Sequence, residues 1–363
     1  MPATILLETQ NVRNTLLATV EQNDQTVYFY IWPGDNLYRT YPMRACWVRN
    51  IQPAPASLDL SGMAEGVPPM MPAGNCDHPG GAAPFEEGHN LEIVWFEEDD
   101  GAALLQGENI LAIIPGWSLY MEHPVAYARA CTVQNEQLNM FPLEHGNALL
   151  QRLDKTFSFW NSWNDDKNWD GIQHYFLNKY EGLFGAHAQY FAIDGNKWPP
   201  MALVRFKKDK YDIFLTLGVS IRPMPWVDFL FEDASGFRRI ELGVAIDNTQ
   251  YTEQEMMQMA QFIAGMADSP WNKISWLGEG HTIDSQAASA PCTGFILSSA
   301  VYNGPSFQDF SLYGDKINLL WAVPIHASEM QSAISQSNGG FMLLEKLIEQ
   351  DVSWVTKRRN AIL

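Results

Sequence analysis

The chain has 363 residues, of which 46% are hydrophobic and 12% aromatic, and its formal net charge is −19. This composition excludes a disordered chain, and the length favours two domains that each build a core. The acidic excess argues against nucleic acid as a partner because phosphates would be repelled, and no apolar stretch approaches the roughly 20 residues that span a bilayer.

The first half of the chain has the pattern of an antiparallel β domain. Short β-rich runs separated by turn sequences predict strands at residues 11–20, 26–32, 37–48, 91–96, 110–114 and 126–133. Residues 66–88 are rich in proline and glycine, which excludes a helix or a central strand there and predicts a long loop. A helix is predicted over 143–157, so this half is expected to be mostly β with one helix.

A domain boundary is predicted in the polar, tryptophan-containing stretch 160–169, because this stretch has no helical or strand periodicity. It would separate a β-rich acidic domain, residues 1–160, from a second domain, residues 161–363. The acidic excess is concentrated before this boundary. Residues 1–155 hold 19 acidic and 7 basic residues, a net charge of −12, whereas the remainder holds 23 and 16, a net charge of −7.

The second half mixes helices and strands. Asp170 is expected to cap a helix that ends at Gly185, and Thr252 with Glu255 forms a capping-box pattern that opens another helix. Further elements are predicted as strands at 202–206, 212–219, 239–246, 294–301 and 317–323 and a helix at 341–349. The sequence therefore predicts the α+β class, with a mixed or antiparallel sheet and flanking helices in the second domain.

No short motif in the chain predicts a cofactor or a metal. Nucleotide-binding, esterase and zinc-protease signatures are missing from the sequence, which disfavours those enzyme classes. Cys76, Asp77 and His78 with His89 could supply metal ligands, but an ordinary polar loop is the preferred interpretation. The cysteines, at positions 46, 76, 131 and 292, form no paired motif and are predicted to be buried free thiols in a reducing compartment. With no secretory signal at the first residues, a cytoplasmic protein is expected.

Acid–base chemistry has two local candidates, His281 near Asp284 and His174 near Asp170. A structural role is preferred for His281, because histidines that hydrogen-bond to backbone are commoner than catalytic ones. Arg222 follows a strand and precedes a proline, and it could bind a carboxylate or form an ion pair within the fold. An enzyme that uses His281, Asp284 and Arg222 remains the third hypothesis.

Acidic clusters in predicted turns are the clearest candidates for binding a partner. They are expected to be exposed and to meet lysines and arginines of another protein. The candidate residues, together with Arg222, are Glu86, Glu87, Glu97, Glu98, Asp99, Asp100, Asp165 and Asp166.

A series of spaced patterns runs through the second half. They are Trp169-Asp-Gly-Ile-Gln-His-Tyr175, Tyr211-Asp-Ile-Phe-Leu-Thr-Leu-Gly-Val-Ser-Ile-Arg-Pro-Met224, Arg239-Ile-Glu-Leu242, Trp276-Leu-Gly-Glu-Gly-His-Thr-Ile283, Leu320-Trp-Ala-Val-Pro-Ile325 and Glu329. In this order and spacing, residues from about 169 to 350 resemble the suppressor of fused domain family. The first half resembles no family.

The resemblance implies a domain that binds other proteins and has no established chemistry. The animal member restrains a zinc-finger transcription factor by clasping an extended peptide as an added strand, while many bacterial members are similar to immunity proteins of polymorphic toxin systems. The compact chain is more similar to the bacterial members. The leading hypothesis is therefore a bacterial immunity protein whose acidic surface binds a basic, nuclease-type toxin, and the alternative is an adaptor that binds a peptide by strand addition.

Overall fold

The computed structural model describes residues 3–35, 37, 40–86, 90–299, 304, 305, 307 and 309–363. Two compact units are distinguished: one contains the described residues up to Asn164 together with Trp271–Ile274, and the other contains Asp165–Pro270 and Ser275–Leu363. No described helix combines the length and the apolar composition needed to span a bilayer.

The first unit is built on two sheets. The first is an antiparallel meander of β1 (Thr4–Gln10), β2 (Leu16–Gln22), β3 (Thr26–Pro33) and β4 (Arg44–Asn50). The second has the order β5 (Leu91–Trp95), β6 (Ala102–Gln106), β7 (Asn109–Ile114), β8 (Ala126–Ala128) and β9 (Met140–Pro142), with β8 and β9 parallel. The helices are α1 (Leu60–Ala64) and α2 (Asn147–Ser162).

Alternation along β6 places apolar side chains on both faces of the second sheet. Leu104 belongs to the core shared with β2, β3 and β4, whereas Ala103 and Leu105 belong to the core that includes Leu153 of α2. Successive side chains of a strand point to opposite faces of the sheet, so β6 is buried on both faces. The second sheet therefore lies between the first sheet and α2.

The second unit is built on a sheet with the order β10-β11-β12-β13-β17-β15-β14. Its strands are β10 (Gln189–Ala192), β11 (Ala202–Lys207), β12 (Tyr211–Leu217), β13 (Arg239–Asp247), β14 (Thr282–Asp284), β15 (Cys292–Ser298), β16 (Ser311–Leu312), β17 (Asp315–His326) and β18 (Val355–Thr356). β13 and β17 are parallel, β18 pairs in parallel with β13, and the other pairings are antiparallel.

The helices of the second half are α3 (Asn168–Phe184), α4 (Val227–Leu230), α5 (Glu253–Met266), α6 (Ser269–Asn272), α7 (Ala327–Ile334) and α8 (Gly339–Glu349). α8 buries Leu343, Leu344 and Leu347 against Ile296 of β15 and Val323 of β17. Mainly antiparallel sheets in the first unit, a mixed sheet in the second and flanking helices confirm the predicted α+β class.

Several element boundaries differ from those predicted. The strand predicted at 11–20 begins only at Leu16, because the Asn11 side chain accepts hydrogen bonds from Thr15 N (2.8 Å) and Leu16 N (3.0 Å) and holds a turn. The strand predicted at 37–48 begins at Arg44, and β8 ends at Ala128 instead of continuing to 133. The sequence did not predict strands β1, β6, β9, β10, β14, β16 and β18 or helices α1, α4, α6 and α7. Positions 300 and 301 of the strand predicted at 294–301 lie outside the described residues.

The start of α3 also differs, since the helix begins at Asn168 and Asp170 lies in its first turn instead of capping it. Gly185 does end α3, with a φ of 70° that favours glycine. The capping box of Thr252 and Glu255 is present at the start of α5, as predicted.

The Pro/Gly-rich segment, residues 66–86 in the described chain, is packed against the first unit. Met71 and Phe85 are buried in its core. The Asn50 side chain donates to the Met71 carbonyl (2.8 Å), and the Gln22 side chain bonds both the amide (2.7 Å) and the carbonyl (3.1 Å) of Phe85. Contacts with the side chains of Asn50 and Gln22 hold this segment, which contains one 3-10 turn, Ala73–Asn75, and no α-helix among its described residues.

Candidate functional site

The acidic run Glu97–Asp100 is buried, so the prediction that it is exposed was wrong. The exposed fraction of each of its residues is at most 6%. Arg152 forms ion pairs with Glu97 (3.5 Å) and Glu98, and Thr156 donates to Glu97 (2.6 Å). Burial raises the pKa of Glu97, while Arg152 opposes this shift. The local sequence does not predict this burial, because Arg152 and Thr156 lie more than fifty positions from the glutamates that they contact.

The other two acids of this run hold backbone segments together. The carboxylate of Asp99 accepts hydrogen bonds from the amides of Val12 (3.0 Å) and Arg13 (3.1 Å). The Asp100 carboxylate accepts a hydrogen bond from Tyr120 (2.9 Å), and its carbonyl accepts one from the buried guanidinium of Arg44 (2.5 Å). These carboxylates face inward and are therefore unavailable to a partner.

The remaining acidic candidates are on the surface where they are described. Glu86, Asp165 and Asp166 are exposed, and Glu87 lies outside the described residues. Asp165 accepts a hydrogen bond from the amide of Lys167 (2.9 Å), which helps to form the turn before α3. They do not gather with the buried run into one acidic surface.

The residues of the enzyme hypothesis lie in different environments. Arg222 is fully buried, with its guanidinium 5.6 Å from the Trp198 ring, whereas Asp284 is exposed on β14. His281 packs against Trp276 with 4.5 Å between ring centroids, and burial lowers its pKa. No hydrogen bond or ion pair joins His281 to Asp284 within the described chain.

The second histidine candidate, His174, contacts the carbonyl of Asp170 (2.7 Å), one helical turn earlier.

His78 has a structural environment in the first unit. Its Nε2 accepts a hydrogen bond from the Asn50 amide (3.1 Å), its Nδ1 contacts Asp77, and its ring stacks on Trp47 at 5.6 Å. His89 lies outside the described residues. Across the part of the chain that the structure describes, no group of three or more His, Cys, Asp or Glu side chains is arranged to hold a metal.

A buried polar network joins β12 and β13 in the second unit. The fully buried carboxylate of Glu241 accepts hydrogen bonds from Thr216 Oγ1 (2.6 Å), Gly218 N (3.0 Å), Ser220 N (3.0 Å) and Ser220 Oγ (2.7 Å). Burial raises the pKa of Glu241, and these donors oppose the shift. Two residues earlier, Arg239 pairs with Asp315 (2.9 Å). The Arg239-Ile-Glu-Leu242 pattern thus stabilises the scaffold.

An apolar groove of about 540 Å³ opens on the same sheet. We define this aromatic groove by Phe231, Phe237, Ile240, Trp276, Leu320 and Phe341. The rings of Phe231 and Phe237 stack at 4.2 Å, and Trp276 meets Phe231 edge-on at 5.4 Å. The rings therefore form a connected wall with a shape suited to an apolar side chain.

The loop between Trp276 and His281 forms one side of the aromatic groove because its glycines allow close packing. A Cβ on Gly278 would lie 2.3 Å from the Trp276 ring, and Gly280 has a φ of 78°. The Glu279 carboxylate accepts hydrogen bonds from Ser298 Oγ (2.6 Å) and Ser299 N (2.6 Å). This loop is consequently tied to the end of β15, and it leads directly into β14, the last strand of the sheet.

The rim of the aromatic groove is rich in exposed apolar side chains. Phe237 is 47% exposed and Phe341 is 56% exposed, and the neighbouring helix α4 adds Phe229 and Leu230, which are 45% and 41% exposed. Large apolar side chains clustered on a surface mark interaction sites more often than scattered ones do. The exposed acids Asp228, Glu232 and Asp233 are interspersed with them in the chain.

The aromatic groove and the buried network both fall in a segment that comparison assigns to a family. Residues 197–359 match the family model of the suppressor of fused protein (SUFU). The SUFU match confirms the resemblance found in the spaced patterns, although it begins at 197 instead of about 169 and extends to 359. The N-terminal half has no family match, and no curated protein sequence matches the chain significantly. A SUFU domain supports a role in protein–protein interaction.

The spaced patterns of the sequence include three residues of the aromatic groove, Ile240, Trp276 and Leu320, but they do not indicate a groove. Phe231, Phe237 and Phe341 belong to none of these patterns, are separated by up to 110 positions and share no periodicity. The segment 228–237 carries a usable signal, because it mixes phenylalanines with acidic residues and lies outside the predicted strands and helices. Such a segment leaves apolar side chains at the surface.

Proposed function

We propose that this protein acts by binding another protein, and that the aromatic groove of the SUFU domain receives an apolar side chain of the partner. The exposure of Phe237 and Phe341 beside a cavity of about 540 Å³ carries this proposal. Covering such rings gains roughly 25 cal/mol for each Å² of apolar surface removed from water. Residues of this kind, buried at the centre of an interface, contribute most of the binding energy.

The charges near the groove favour a partner segment with basic residues beside its apolar anchor. Glu232 and Asp233 are exposed next to the rim residues, and Asp228 is exposed but pairs with Arg238 (3.2 Å). Lys316 also lines the groove, so the acidic residues exceed the basic ones only modestly there, while the whole chain carries a net charge of −19. Opposite charges increase the association rate and orient the partner. Within the described chain, β14 pairs with β15 on one side only, so a partner backbone that extends from the groove could add to this edge.

Selection from a displayed library of random peptides tests the binding site directly. The native chain should enrich peptides that combine an aromatic residue with lysine or arginine. The variants Phe237→Ser and Phe341→Ser should weaken binding of an enriched peptide by about tenfold or more, corresponding to about 1.4 kcal/mol. Fluorescence anisotropy of the labelled peptide would measure the change.

Leu183→Ser is the matched control, because Leu183 is 49% exposed on α3 and lies outside the aromatic groove. This variant should bind the selected peptide as the native chain does. Equal binding by all variants, or selection of peptides with neither aromatic nor basic residues, would contradict the proposed site.

At the level of biology, we propose that the partner is a toxin with a basic surface and that the protein is a cytoplasmic immunity factor of a bacterium. The acidic charge and the exposed residues Glu86, Asp165 and Asp166 support a basic partner, since nuclease surfaces that bind phosphate are positively charged. We also propose two functional domains, residues 1–160 and 161–363, with a boundary close to the division of the two compact units after Asn164. Arg222 is fully buried, so we propose for it a role within the fold and not in contact with the partner.

Co-expression in bacteria tests this assignment. A nuclease-type toxin encoded beside this gene should be lethal alone and tolerated when the native chain is present, and Phe341→Ser should reduce the rescue. Failure of the native chain to rescue cells from that toxin would exclude immunity while leaving peptide binding by the groove open to the separate measurement.

A further inference from the structure

Cys76 and Cys131 face each other across a short antiparallel pairing in the first unit, where they form an isolated β-bridge. Two backbone hydrogen bonds flank the bridge, from Asp77 N to Ala130 O (3.0 Å) and from Thr132 N to Asn75 O (2.9 Å). The cysteines therefore occupy a non-hydrogen-bonded pair, in which Cα atoms lie about 4.5 Å apart and side chains approach most closely. This separation is within the roughly 4.4 to 6.8 Å that a disulfide spans.

The surrounding backbone holds this register. The side-chain amide of Asn75 donates to the carbonyls of Val133 (3.1 Å) and Gln134 (3.2 Å), which extends the contact beyond the bridge itself. Cys76 has φ and ψ of −126° and 154°, an extended conformation typical of a paired strand. A covalent bond between the two cysteines would thus join segments that are already aligned.

Cys46 is the competing thiol, but it has a different setting. It lies on β4 opposite Phe29, and its Sγ contacts the carbonyl of Tyr127 (3.4 Å) and the sulfur of Met140 (3.8 Å). Burial raises the pKa of Cys46, and the charge of Cys131 adds to this shift, so the two thiols are near each other in the core. Only Cys76 is in cross-strand register with Cys131 in the described chain.

We propose that Cys76 and Cys131 form a redox site, in which a small disulfide such as oxidised glutathione converts the two thiols into a cross-strand disulfide. One cysteine loses its proton to solvent and attacks oxidised glutathione, which releases one glutathione thiolate and leaves a mixed disulfide. The second cysteine then loses its proton and displaces the other glutathione. Two cysteine sulfurs are oxidised, and one glutathione disulfide is reduced to two thiols.

The product would tie the Pro/Gly-rich segment to the chain that follows β8. Closing the long loop between positions 76 and 131 restricts the unfolded chain and stabilises the first unit. Burial raises the pKa of Cys76 and raises that of Cys131 to about 11. Because the thiolate is the attacking species, the exchange should be slow near neutral pH and become faster as the pH rises toward about 11.

Refolding the full chain at about pH 9 in a mixture of reduced and oxidised glutathione tests the pairing. Free thiols are then blocked, and the protein is digested without reductant for mass spectrometry. We expect the Cys76–Cys131 peptide to be the main linked species, and the thermal unfolding midpoint to rise by on the order of 5 °C and to return after reduction. Oxidation of the already folded chain should yield the same peptide, more rapidly at higher pH.

Two variants control the experiment. C292S should form the Cys76–Cys131 bond as the native chain does, because Cys292 lies on β15 in the other unit, while C76S should lose both the linked peptide and the rise in midpoint. Circular dichroism of each reduced variant verifies folding. A dominant Cys46–Cys131 link, glutathione adducts alone, or four free thiols after refolding would overturn the proposal.

Discussion

At the scale of single residues, Glu241 illustrates the cost of placing a carboxylate inside the protein. It is fully buried, yet donors from Thr216, Gly218 and Ser220 surround its oxygens at 2.6 to 3.0 Å. An ionised group in an apolar interior is tolerated only when such donors replace water. Gly218 contributes through its backbone, with a φ of 101° that favours glycine, and a Cβ there would lie 2.6 Å from the Pro200 carbonyl.

Replacing Glu241 by alanine should destabilise the protein by about 3 kcal/mol or more, because several buried donors would lose their acceptor together. Glu241→Gln retains one acceptor oxygen and should lose less. Urea denaturation followed by circular dichroism would measure the free energy of unfolding. The control is Glu345→Ala, at an exposed position of α8. If the Glu241→Ala protein proved as stable as the control, the network would have no stabilising role.

At the scale of elements, α5 depends on its N-terminal cap. Glu255 accepts hydrogen bonds from the Thr252 amide (2.9 Å) and hydroxyl (2.9 Å), from Ser289 (2.6 Å) and from Arg358 (2.6 Å). These contacts connect the start of the helix to the loop before β15 and to the C-terminal segment. The hydrogen bond from Ser289, together with those from Thr252 and Arg358, lowers the pKa of Glu255 to about 2.

The stability that Glu255 contributes should disappear in acid. Its pKa is lower in the folded protein than the ordinary value of 4.5, so the contribution is complete above pH 4.5 and is lost as the pH falls toward about 2. Thermal unfolding of the native chain and of Glu255→Gln across this window should give curves that converge at low pH. A difference in midpoint that stays constant down to pH 2 would show that ionisation of Glu255 contributes nothing.

At the scale of the whole molecule, the net charge of −19 is a source of self-repulsion. Burying the run Glu97–Asp100 with Arg152 and Arg44 neutralises part of the charge inside the first unit, while Asp165 and Asp166 remain in solvent. Salt screens exposed charges over a Debye length of about 10 Å at 0.1 M but acts much less on buried pairs. The surface carboxylates therefore determine how stability responds to ionic strength.

Raising sodium chloride from about 0.01 to 0.1 M should increase the thermal unfolding midpoint, because screening weakens repulsion among exposed carboxylates. The double variant Asp165→Asn with Asp166→Asn should respond less to salt than the native chain. Differential scanning calorimetry at several salt concentrations provides the measurement. A midpoint that falls with salt would mean that attractive surface ion pairs outweigh the repulsion.

The sequence predicted those parts of the fold that depend on neighbouring residues. The capping box of Thr252, the glycine at the end of α3 and the strands at 202–206 and 239–246 follow from local patterns, and the spaced patterns identified the family. Strand β6 was not predicted because the short run Ala102–Gln106 is apolar at successive positions. It lacks the alternation of polar and apolar residues that marks a strand with one exposed face. The aromatic groove could not be predicted, since Phe237 and Phe341 are far apart in the sequence and line the same groove only after the sheet has formed.

By itself, the sequence determined the α+β class, the family of the second half and the acidic net charge. Only the tertiary structure decided which acids face water and which aromatic side chains stay exposed. Local preference depends on residues a few positions away, whereas burial depends on partners such as Arg152, which lies 54 positions from Glu98. For this reason the acidic turn at 97–100 became part of a core, and exposed phenylalanines became the candidate binding surface.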